Sequence, residues 1–322
     1  KAAKAFLGTL NEEQRKKTQF PIDDIEWRKW MNQDFYVRQG MGFADMDDKQ
    51  REAAFGIMKA GLSAKGLQLS RDIMRLNETL GELTGDMPRY GEWAYWITIM
   101  GEPSATKPWG FQMDGHHLII NYFILGDQVV MTPLFIGSEP VIATGGRHKG
   151  LKILQEEQAA GLKFALALSE AQRKQAVLNP LKTDNNNLTE AFKDNVVIPY
   201  AGVKAKDLDA GKKQQLVKLV AMFIDNMEPG HAKVKMEEVR QHLDNTHFAW
   251  IGGTEEEGVY YYRIHSPVVL IEFDHQRPAG LTRFSKNPRE PNHDHIHIVV
   301  RTPNGNDYGK DLLRLHLLAQ KH

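Results

Sequence analysis

Asn292-His293-Asp294-His295-Ile296-His297-Ile298-Val299-Val300-Arg301 is the stretch on which the fold of this chain turns. Side chains on a strand alternate between faces, so Ile296, Ile298 and Val300 share one side and His293, His295 and His297 the other. The apolar side can pack on a core while the imidazoles converge on one point. Pro291 and Asn292 signal a loop just upstream, which puts His293 at the strand's edge or beyond it.

Working outward, residues 246–251, 259–265 and 268–273 have the same strand texture, and a helix over 310–319 ends the pattern. Earlier in the chain, 93–100, 111–125 and 128–136 are rich in β-branched and aromatic residues and bounded by turn signals. Gly126-Asp127 reads as a tight hairpin turn. A helical texture precedes each strand block. The first runs over 11–85, where Leu69, Ile73, Leu76, Leu80 and Leu83 form one stripe, with Ser70 or Asp72 as its start and Gly85 and Pro88 closing it. The second holds Leu151, Leu154, Leu162, Ala165 and Leu168, then a polar loop over 183–187, then Leu216, Leu219, Val220, Phe223 and Ile224. Segregated helices and strands imply an α+β fold of largely antiparallel sheets covered by helices.

The two strand blocks also match each other. Sliding 98–124 over 249–275 without a gap sets Gly101 on Gly252, Trp109 on Tyr260, Phe111 on Tyr262 and Leu118 on Val269. An internal duplication follows, with halves 1–145 and 146–322 joined in one compact domain and a site where the halves meet.

Composition narrows the chemistry. Forty-one Lys plus Arg balance forty-one Asp plus Glu in 322 residues, so the basic excess of a nucleic-acid binder is missing. No run approaches eighteen apolar residues, so no transmembrane helix is expected. There is no cysteine, which removes thiol nucleophiles, iron–sulfur clusters, thiolate zinc sites and disulfides. Any metal must be held by imidazole, carboxylate or carbonyl groups. Thr144–Gly150 lacks P-loop spacing, and no nucleotide cofactor is indicated. Starting at Lys1 without a signal-peptide pattern, and free of cysteine, the sequence reads as a mature exported protein or a trimmed chain.

A His-x-His pair on a strand presents two nitrogens to one divalent ion, so His295 and His297 are candidate metal ligands. Asp114-Gly115-His116-His117-Leu118 supplies two more. Read as a strand, it sends His116 and His117 to opposite faces, so one of them joins the site and the other orients its neighbour. Glu272 and Asp274 share a strand face and are candidates for general base or ligand. Arg263 and Arg301 are candidates for holding an anionic substrate.

Trp109-Gly110-Phe111-Gln112-Met113-Asp114-Gly115-His116-His117-Leu118 resembles a segment of the bacterial domain-of-unknown-function family 3500. Leu270-Ile271-Glu272-Phe273-Asp274, His295-Ile296-His297 and Asp311-Leu312-Leu313-Arg314 follow in the same order as in that family. The chain departs from the pattern in inserting 277–290 before the histidine strand and in reading Val-Val-Arg-Thr-Pro after it. The resemblance implies export to the periplasm or beyond and names no reaction.

The expectation is a metal-dependent enzyme with a divalent ion on His295, His297 and one or both of His116 and His117. Zinc and hydrolysis lead; copper or iron with redox chemistry, or a non-catalytic metal or ligand binder, are the alternatives. The substrate, small molecule or polymer, is left open.

Overall fold

The computed structural model describes residues 1–255 and 258–320. Eight strands carry the architecture: β1 (Tyr95–Gly101), β2 (Trp109–Gly115), β3 (Leu118–Leu125), β4 (Leu134–Ser138), β5 (His247–Gly252), β6 (Tyr260–His265), β7 (Leu270–His275) and β8 (Ile296–Arg301). They lie in one sheet in the order β1-β2-β3-β4-β8-β7-β6-β5, each antiparallel to its neighbour. Short strands extend the sheet at both ends, with Gln19–Phe20 parallel to β1 and Val177–Asn179 parallel to β5. The fold is α+β.

The order reads the same from either end towards the β4–β8 seam, and the surrounding elements repeat too. Capping boxes at Asn11 with Gln14 and at Ser169 with Gln172 open the helices Glu12–Thr18 and Glu170–Ala176. Asp47 and Asp209 cap the helices Asp48–Gly61 and Ala210–Ile224. Gly40 (φ 95°) and Gly202 (φ 93°) occupy matching places, where a Cβ would lie 2.4 Å from the Ile97 carbonyl oxygen and 2.0 Å from that of Phe248. The gapless offset between the strand blocks holds at the residue level. Gly101 pairs with Trp109 as Gly252 pairs with Tyr260, and both glycines have positive φ.

Alternation gives the sheet two different faces. Ile296, Ile298 and Val300 join Leu134, Ile136, Ile271 and Phe273 in a core roofed by helices, where Phe223, Val220 and Leu216 are buried. The opposite face is covered by irregular chain: Trp27 and Trp30 from one loop and Tyr308 near the end pack on Ile119, Phe135 and Val299. The segment 180–202 also lies on this face, where the amides of Asn186, Leu188 and Thr189 bond Asp274 and Glu272 and Ala191 packs beside the tryptophans.

Three local expectations are corrected. The long helix runs Ala64–Thr84 with Ser63 as its cap, so it starts before Ser70 and Asp72; Gly85 closes it in the left-handed conformation. The stretch 11–85 is not uniformly helical. Pro21 and Gly40 flank a loop whose tryptophans are buried against the sheet, and that burial overrides local helix preference. The run 111–125 is two strands, turning at His116-His117 between the paired Gly115 and Leu118.

Candidate metal centre

That turn places the first ligand. Neither His116 nor His117 is on a strand, so the alternating-face argument does not apply to them. His117 has φ 52°, a left-handed conformation that histidine adopts more readily than most residues. The turn is fastened by the Tyr95 hydroxyl donating to the His116 carbonyl at 2.5 Å and by the Gly137 amide donating to the His117 carbonyl at 2.9 Å. Gly137 lies opposite His297 in the β4–β8 ladder, so one residue aligns the turn with the histidine strand. A Cβ on Gly137 would meet the Ile296 carbonyl oxygen at 2.4 Å and the Cδ2 atoms of His117 and His297 at 3.3 Å. Only the missing side chain lets both rings approach.

The Nε2 atoms of His117, His295 and His297 form a triangle. His117 is 3.1 Å from each of the other two, and His295 is 2.9 Å from His297. All three residues are buried. The outer nitrogens fix the tautomers. His295 Nδ1 lies 2.6 Å from the Arg277 carbonyl oxygen, which only accepts, so Nδ1 carries the proton. His297 Nδ1 lies 2.5 Å from Glu190 Oε1 and donates to that carboxylate. With both rings neutral, the Nε2 atoms of His295 and His297 point lone pairs at each other. A proton on His117 could relieve one of the three contacts and no more. Burial holds the His117 and His295 rings well below the usual imidazole range, reinforced by neighbouring histidines, so protonation is disfavoured. Three imidazole nitrogens converging in a buried site are the arrangement that a cation stabilises.

Surrounding groups hold this geometry. Burial works against a charged Glu190, but the His297 ring and the Asn187 amide outweigh it and hold the carboxyl below its usual value. Glu139 Oε2 stands 3.8 Å from His295 Nδ1, and its carboxylate accepts from the amides of Ala279, Gly280 and Leu281. Beside Glu139, a cleft of about 350 Å³ is lined by Leu281, Phe284, Asn292 and Asp294. His116 stays outside the triangle. Its Nδ1 lies 2.6 Å from Asn77 Oδ1, and Asn77 Nδ2 donates to the Gly91 carbonyl at 3.0 Å, so the ring donates to Asn77. Burial and then Arg38 push the His116 ring down to about 3. His293 has turned away to Gln158, its ring 4.5 Å from that of His275.

Glu272 is buried, its carboxylate accepting from the Leu188 and Thr189 amides, the Thr189 hydroxyl and the Tyr261 hydroxyl. Asp274, opposite His297 in the β7–β8 ladder, meets Lys182 and accepts from the Asn186 and Asn187 amides; burial pushes it up to about 7. Both carboxylates thus anchor the loop that delivers Glu190 to His297. Arg301 donates to the Thr189 and Lys193 carbonyls and pairs with Asp307 at 2.9 Å, fastening the same loop further along. Arg263 is buried on β6, reaching the Pro199 carbonyl. None of these four is among the groups on the triangle's nitrogens. Glu190, Glu139 and Asn77 were not anticipated, because each reaches the histidines from a segment distant in sequence.

Among the described residues, Glu78, Glu92 and His148 also lie close enough to share an ion. Arg71 and Arg147 already neutralise those carboxylates.

Fold and site together define an α+β protein with a three-histidine centre at the seam of two like-ordered halves. The second half carries Pro267-Val268 where the first carries His116-His117, so the turn histidine is not repeated there. Among the described residues the three-histidine group occurs once. The chain belongs to the domain-of-unknown-function family 3500, described as "Protein of unknown function (DUF3500)", whose model matches residues 1–310. No curated protein and no solved structure matches it.

Proposed function

We propose that the protein is a metal-dependent enzyme in which His117, His295 and His297 hold one divalent ion through Nε2. The observation that carries this is the convergence of three Nε2 atoms while the Nδ1 atoms of His295 and His297 are engaged by other groups. At bond lengths of about 2.0–2.1 Å, the observed N···N separations correspond to angles of roughly 90–100° at the ion. The ligands then occupy one side and leave the other to water and substrate.

Zinc with hydrolysis is the reading preferred. Zinc held by three imidazoles with an open position would lower the pKa of its bound water to about 7 and so supply the nucleophile for hydrolysis. Glu190 and the Arg277 carbonyl would keep the ligand rings oriented and their Nε2 atoms basic. Angles near 90° also suit six-coordinate ions, which favours copper or iron with oxidative chemistry as the second reading. Export, implied by the family resemblance, accords with the absence of cysteine and remains part of the proposal.

Elemental analysis of protein purified without chelator tests the reading. One equivalent of zinc is expected; copper or iron would turn the assignment to redox chemistry. Protein that stays metal-free after incubation with each ion would refute it.

A further inference from the structure

Three carboxylates with fully buried cationic partners lie under the loop-covered face or beside it, and one differs in kind. Arg301–Asp307 and Arg38–Asp114 use guanidinium groups, which are not nucleophiles at neutral pH. The third uses an amine. Lys182 Nζ lies 2.9 Å from Asp274 Oδ1, with the lysine side chain 1% and the aspartate 0% exposed. Every other lysine in an ion pair of the described residues keeps at least 16% of its side chain in solvent.

The carboxyl group is held asymmetrically. Oδ2 accepts from the Asn186 amide at 2.6 Å, the Asn187 amide at 3.2 Å and Gln276 Nε2 at 2.6 Å. Oδ1 faces the amine and has no other hydrogen-bond partner. Three preformed donors on one oxygen, with a nucleophile held at the other, form the arrangement that stabilises a tetrahedral oxyanion in acyl transfer. Enclosure removes the water that would keep the two groups charged and separate. Fixing both groups replaces a bimolecular encounter by an effectively unimolecular one.

We propose that Lys182 and Asp274 join in an intramolecular isopeptide bond. Proton transfer from the ammonium to Oδ1 gives a free amine and a neutral acid. Nζ attacks Cγ, the new C–N bond forms, and negative charge gathers on Oδ2 within its three donors. Oδ1 takes a second proton from the nitrogen and leaves as water, and the C–O bond breaks. The balance is one ammonium plus one carboxylate to one amide plus one water, with no other reactant. The bond would fasten β7 covalently to the start of the loop that carries Glu190. It does not depend on the metal reading.

Intact mass spectrometry of the full chain under denaturing conditions is the test. The wild-type chain is expected one water lighter than its sequence mass, with a branched tryptic peptide joining the segments of Lys182 and Asp274. Lys182→Arg and Asp274→Ala should each run at their own full sequence mass. A wild-type chain at full mass, fresh and aged, overturns the proposal, and that measurement stands even if neither variant folds. A water loss that persists in Lys182→Arg would point to cyclisation elsewhere and also overturns it.

Discussion

Replacing His295 by Ala and, separately, Ile298 by Ala should split metal binding from folding. The two residues belong to the same stretch of chain but face opposite sides of the sheet. Ile298 is fully buried in the helix-covered core. Truncating it removes three carbons' worth of packing and leaves a cavity, for an expected loss of about 2–5 kcal/mol. The ligand nitrogens are on the other face, so metal stoichiometry should survive in the folded fraction. His295→Ala does the reverse. A structural zinc site is worth about 10–16 kcal/mol shared among about four ligands, so losing one should cost about 2.5–4 kcal/mol, roughly two to three decades in Kd. The metal-free variant should be no less stable than metal-free wild type, because removing one ring relieves the 2.9 Å lone-pair contact with His297. With free zinc at about 100 times Kd, wild type should gain about 2.7 kcal/mol of stability, and His295→Ala close to none. Elemental analysis beside thermal melts with and without zinc reads both quantities. Normal metal content in His295→Ala would refute the ligand assignment; a large destabilisation of the metal-free variant would refute the division of labour between the faces.

Gly137→Ala should lower metal affinity without touching a ligand, because the new methyl must displace either the β8 backbone or the His117 and His297 rings; zinc titration followed by melting checks it. Glu190→Gln should weaken metal binding by about 10–100-fold, since the amide holds His297 less firmly than the carboxylate does; unchanged affinity would show that the His297 contact is incidental. The contribution of three buried histidines to the stability of the metal-free protein should fall as pH drops below 6.5. The buried His116, His117 and His295 have pKa values depressed from 6.5, so the unfolded chain binds protons that the folded one excludes. For His116 the stability is intact above 6.5 and lost progressively towards about 3, at up to about 1.4 kcal/mol per pH unit. Buried carboxyls act in the opposite sense over this range, with Asp274 pushed up to about 7, so the test is chemical denaturation of wild type beside His116→Gln between pH 7.5 and 4.5; a stability difference that does not change with pH would contradict the burial argument.

The sequence by itself determined the strands around the site and their facing. The period of two in Ile296, Ile298 and Val300 required one apolar face, and the structure buries all three under helices. The gapless match of the two strand blocks was likewise legible, because Gly101 and Gly252 both stand at positive φ where hairpins turn. Local patterns carry such information because alternation and turn chemistry act over a few residues. The His116-His117 turn was hidden, since Gly-His-His-Leu flanked by apolar runs reads as continuous strand when no Gly-Asn or Asn-Gly pair marks the reversal. Only tertiary structure chose His117 over His116, turned His293 away to Gln158, and gave Glu272, Asp274 and Arg301 the task of holding a loop. It also brought Glu190 to His297 and Glu139 near His295 across separations of 107 and 156 residues. The Glu190 contact depends on how the 180–202 segment crosses the sheet, and that path is set by packing and buried hydrogen bonds between distant residues, which no periodicity in the chain encodes.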